Sequence, residues 1–191
     1  MKLFIFSTLL ATLFLAACSN SNPTTSPADA TQNTDTTASV ISSEKTKPAP
    51  ADEIINGYLQ LKNALAADDD KAAAEAGNVM TKAMASFDKS AISADQAKIY
   101  NDIEAGVKEH AEHIGENVGN LHHQREHFES LSQDIYDLAK AVGTGKKLYF
   151  DHCPMYNDNK GANWLSETKE IRNPYLGKSM LDCGSVKEEL N

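Results

Sequence analysis

The chain has 191 residues, 41% hydrophobic and 24% charged, with a formal net charge of −9. That acidity excludes a nucleic-acid binder of the kind that neutralises phosphates with a basic face. Ten Gly and six Pro exclude collagen-like material, and three Cys are too few for a disulfide-dense small domain.

Met1 and Lys2 give a short positive start, and Leu3 to Ala17 then runs without a charge. The run is shorter than the ~20 apolar residues of a membrane-spanning helix. It reads as a secretory signal peptide over 1–17. Its end, Leu15-Ala16-Ala17-Cys18, resembles a bacterial lipobox, which implies cleavage before Cys18 and lipidation of its thiol. Acyl chains on that cysteine would anchor the protein to a membrane. Ser19 is not acidic, which by resemblance to Gram-negative sorting implies the outer membrane. The domain is expected to face the periplasm, although Ser19 does not set the side of the membrane. Residues 18–50 are rich in Ser, Thr, Asn, Ala and Pro and are expected to be a lipidated, disordered tether. Such a segment has a reach of roughly 30 Å.

Residues 51–191 are expected to fold as a mainly α domain. The prediction is an up-and-down bundle of three to four helices followed by a small irregular or β segment. Ile54, Ile55, Tyr58, Leu61 and Leu65 mark the first helix, which ends near Asp68 to Asp70. Ala72, Ala76, Val79, Met80, Ala83, Met84 and Phe87 mark a second helix with a small-residue face. Ser93 and Gln96 have capping-box spacing before a third stripe at Ile99, Ile103, Val107, His110 and Ile114. After a break at Gly115 to Asn120, Leu121, Gln124, Phe128, Leu131, Ile135, Leu138 and Val142 mark a fourth helix, stopped by Gly143. The last third, 146–191, suggests short strands at Leu148 to Phe150 and Gly161 to Leu165, a turn at 157–161 and a final helical turn over Val186 to Leu190.

Two clusters carry potential chemistry. His152-Cys153-Pro154-Met155 and Met180-Leu181-Asp182-Cys183-Gly184 together offer two thiols, two thioethers and an imidazole. Such polarizable donors select soft ions, copper first and zinc or another soft metal after it. In an oxidising compartment the same cysteines would instead pair. A Cys153–Cys183 disulfide would then contribute on the order of 3.5 kcal/mol. Both readings stand on spacing alone. The second cluster is His110, His113, His122, His123 and His127. With a turn near Asn117, His110 meets Gln124, and His110, His123 and His127 come close enough to share an ion. In a continuous helix His113 and His127 would be ~21 Å apart, with no common site. The simpler reading of His110 is a core histidine bonded to Gln124. His122 and His123 fall on outward positions, and His127 is the best helix-borne ligand candidate. The glutamates around them read as a solvated acidic face that concentrates cations.

Six strings resemble, in order, a family of uncharacterised bacterial envelope domains. They are Gly57 to Leu65, His123 to Ser132, Cys153-Pro154-Met155, Gly161 to Ser166, Glu170 to Tyr175 and Met180 to Gly184. The resemblance implies a lipoprotein and a likeness to C-terminal extensions of periplasmic adaptor subunits of copper and heavy-metal efflux systems. Cys153-Pro154-Met155 also resembles the short heavy-metal-binding modules of metal exporters, although Ser185 stands where that module has Met. No Cys-x-x-Cys, His-Glu-x-x-His or Gly-rich phosphate loop occurs, so no enzyme is expected. The expected function is an envelope lipoprotein that binds a soft metal, buffering it or delivering it to an efflux adaptor. The alternative is a disulfide-closed interaction domain without metal.

Overall fold

A computed structural model describes residues 49–191. The signal peptide, Cys18 and nearly all of the tether lie outside the described residues.

Four long helices follow one another: α1 Asp52–Ala66, α2 Asp70–Ser86, α3 Ala94–Glu116 and α4 Leu121–Val142. α1 buries Ile54, Ile55, Tyr58, Leu61 and Leu65, the residues whose spacing predicts it. It ends where Asp68 turns left-handed, at φ 54°. Asp69 then caps α2, its carboxylate accepting from the Ala72 N–H at 3.0 Å. α2 packs through small residues, and Gly77 marks the closest approach. A Cβ there would stand 2.7 Å from the Ala111 carbonyl oxygen of α3. Val79, expected on the buried stripe, is exposed because α2 turns Ala73, Ala76, Gly77 and Met80 inward instead.

The capping box forms at the start of α3: Gln96 N–H donates to Ser93 Oγ, and Ser93 N–H donates to Gln96 Oε1. The stripe of α3 begins one residue later than expected. Ile99 is exposed and Tyr100 is buried, stacked on Phe87 at 4.2 Å and donating its hydroxyl proton to the Met84 carbonyl. The turn to α4 uses Gly119 at φ 89°, and the Asn120 side chain accepts from the His123 N–H. α4 buries Gln124, Phe128, Leu131, Ile135 and Leu138 and stops at Gly143. Successive helices pack on one another, which makes an up-and-down bundle.

A three-stranded antiparallel sheet follows, with β1 Leu148–Cys153 between β2 Ala162–Ser166 and β3 Ser185–Leu190. The predicted turn at 157–161 is present, with Asn157, Asp158, Asn159 and Gly161 all at positive φ. The final segment corrects the sequence expectation. Val186 to Leu190 is a strand and not a helical turn, because the open edge of β1 offers it backbone partners that a lone helical turn lacks. The sheet packs on α1 and α4 through β2. Tyr58 pins that junction: its hydroxyl sits 2.8 Å from Ser132 Oγ on α4 and accepts from the Leu165 N–H of β2.

Candidate metal centre

Placement of the histidines follows from the α3–α4 hairpin. His110 and His113 lie one turn apart on α3, and His123 and His127 one turn apart on α4. The hairpin is centred near Val118 and Gly119, so His110 faces His127 and not Gln124. Their Nδ1 atoms are 3.0 Å apart. Gln124 is buried elsewhere, donating to the carbonyls of Asp70 and Ile114. His123, expected to point outward, is half-buried, with its Nε2 3.2 Å from Nε2 of His127. His113 stacks on the His127 ring at 4.5 Å. Donor nitrogens of His113, His123 and His127 all lie within 4.8 Å of one another. His122 points away, with 82% of its side chain exposed.

This spacing suits one metal ion. Two imidazoles on a tetrahedral ion, with bonds of ~2.05 Å, place their nitrogens roughly 3.4 Å apart. The His123–His127 pair is already at that separation. Each of these rings also has an outer partner. His123 Nδ1 lies 3.3 Å from Glu126 Oε2, and His127 Nδ1 meets His110. A donor at Nδ1 in both rings leaves both Nε2 lone pairs facing the same point, where a cation, either proton or metal, satisfies them together. Outer partners that fix ring tautomers in this way are the usual support of metal-ligating histidines. Burial holds the His127 pKa below the ordinary histidine value, and the neighbouring His113, His123 and His110 lower it further, against a small opposing effect of Glu109. The ring therefore keeps its lone pair at neutral pH. His113 is exposed, which leaves the cluster open to solvent.

The sulfur donors form a separate place. Cys153 ends β1, fully buried, and its Sγ lies 3.3 Å from Sγ of Cys183, both as free thiols. Burial raises the Cys183 pKa, and the adjacent Cys153 raises it further. Met155 and Met180 are 48% and 41% exposed. His152 is engaged with Asn163 Oδ1 at 2.8 Å. Among the described residues no third His, Cys, Asp or Glu donor lies within 4.8 Å of both thiols. The expected ligand set is thus divided between an imidazole cluster on the helices and a thiol pair beside the sheet. His113, absent from the expected ligands, completes the first group. Its i, i+3 relation to His110 was the available signal.

The molecule is a four-helix bundle with an interhelical imidazole cluster and a small C-terminal sheet. Residues 54–147 match a family described as "Protein of unknown function (DUF3347)", a stretch that begins two residues into α1, covers the rest of the four helices and ends just before β1. No curated protein and no solved structure matches the chain.

Proposed function

We propose that this protein binds a transition-metal ion on His113, His123 and His127, with His110 and Glu126 orienting the ligand rings. The convergence of three imidazole nitrogens within 4.8 Å supports this reading. An all-nitrogen set suits copper, zinc or nickel, and copper(II) stands highest in the affinity order of the divalent ions. Copper is therefore the first candidate, as it is for the soft donors in the sequence. Three protein ligands leave a coordination position open for water or for a donor from a partner, as delivery requires. The role we infer is buffering of envelope copper or its transfer to an efflux adaptor. A lipid on Cys18 and the Ser/Thr-rich tether would supply the reach.

Titration of the full chain with Cu(II), and separately with Zn(II), tests the site. A single equivalent should bind. His113→Ala/His127→Ala should remove it while leaving the helical circular dichroism intact. Unchanged binding in that variant overturns the assignment. Anchoring is checked separately: Cys18→Ser should move the protein from the membrane to the soluble fraction, and retention in the membrane would refute a lipid anchor.

A further inference from the structure

We propose that Cys153 and Cys183 form a second, sulfur-only site for a soft monovalent ion of the Cu(I) class, independent of the imidazole cluster. The sulfurs lie 3.3 Å apart. A covalent disulfide would hold them at about 2.05 Å. Two thiolates holding one monovalent ion linearly between them, with bonds of ~2.3 Å, stand roughly 4.6 Å apart. The observed spacing lies between these two values, as in a reduced thiol pair that has formed no bond and can open around an ion.

The surrounding chain presets the pair. Cys153 is fixed by its pairing with Ala162 across β1 and β2. Cys183 is held from three sides. Its carbonyl accepts from Asn173 Nδ2 at 2.7 Å, its N–H donates to the Met180 carbonyl at 3.1 Å, and Gly184 at φ 148° lets the chain pass close over Trp164. Asn173 is itself buried, and its Oδ1 accepts from the N–H groups of Tyr175 and Leu176. Through Nδ2 this buried amide ties the cysteine loop to the turn that its Oδ1 organises.

A second observation points to the ligand. Five large apolar side chains are exposed among the described residues, and two of them are Met155 and Met180. One lies two residues after Cys153 and the other three before Cys183. Exposed thioethers within three residues of each thiol in sequence are soft donors of the kind that such an ion prefers. Among the described residues no His, Asp or Glu donor lies within 4.8 Å of both sulfurs, so the imidazole and carboxylate ligands that harder divalent ions prefer are missing there. An ion content with two sulfurs is selected. On binding, each thiol gives its proton to solvent and each sulfur gains a bond to the ion. Two protons are released and no electron is transferred.

Silver(I), a redox-inert monovalent probe, tests the site on the full chain carrying Cys18→Ser and kept reduced. A single equivalent should bind, with the release of two protons. Binding should persist in His113→Ala/His127→Ala and be lost in Cys183→Ser, a half-buried position where serine preserves the fold. Silver should also protect Cys183 of the unsubstituted chain from alkylation, which gives a readout free of any substitution. Binding that survives Cys183→Ser overturns the proposal. So does failure of the reduced chain to bind silver, or a Cys153–Cys183 disulfide that resists reduction. Because the histidine variant is read in parallel, loss of the imidazole site and loss of the thiol site are distinguishable.

Discussion

Asp151 is the residue most at odds with its surroundings. It is fully buried opposite Trp164 across the strand pair, and neither carboxylate oxygen has a hydrogen-bond partner. Burial pushes its pKa up to about 7, with Lys62 pulling weakly the other way. An unfolded aspartate ionises near 3.9. Between those values the folded chain holds a proton that the unfolded chain has lost, so this residue makes stability fall as pH rises from about 4 to about 7. The full effect is on the order of 4 kcal/mol. His127, with its lowered pKa, acts in the opposite direction: its contribution is present above about pH 6.5 and is lost as pH falls. Asp151→Asn isolates the first effect. Urea melts at pH 5 and pH 8 should show the variant more stable than the parent at pH 8, with the gap closing at pH 5. An equal gap at both pH values would refute the assignment. Asp151 gave no warning in the sequence, because an Asp in an exposed strand has the same neighbours. A register shift between Phe150 and Asp151 accompanies its inward placement, and bulges arise from pairing and not from local preference.

Among the elements, the contact of α2 with α3 is the least tolerant. Gly77→Ala gains roughly 1 kcal/mol of helix propensity, but its methyl would meet backbone, the Ala111 carbonyl at 2.7 Å. Overpacking of that kind costs about 1–3 kcal/mol. The expected result is a net loss of about 1 kcal/mol in thermal unfolding, and a stabilised variant would show that the helices part freely. All four helices were legible, because their apolar spacing and the Ser93–Gln96 capping box are local signals. β3 was not. Lys187 to Leu190 suits a helix as well as a strand, and its partner β1 lies far away in sequence. The histidine hairpin was legible only in outline. Placing its centre near Asn117, where the fold centres it near Gly119, shifted the partner of His110 from His127 to Gln124. A small error in a turn doubles across a hairpin.

For the molecule as a whole, the imidazole cluster joins two helices, so metal binding at the proposed site would be linked to folding. His113 belongs to α3, and His123 and His127 to α4. An unfolded chain has no such convergence. Copper(II) or zinc at a hundred times its dissociation constant should therefore stabilise the fold by about 2.7 kcal/mol, read as a rise in melting temperature that grows with metal concentration. A melting temperature indifferent to metal would count against an interhelical site. Chemistry and placement were unequally legible at this scale. The donors were visible as residue types, but their division into two groups depends on which strands and helices pack together. One consequence of the sheet order remains. With β1 in the centre, β3 is an outer strand, and three of its six residues are Lys187, Glu188 and Glu189. A second molecule trying to extend the sheet would have to bring its own strand against that row of charge. The edge thus discourages the strand-by-strand growth that leads to fibrils.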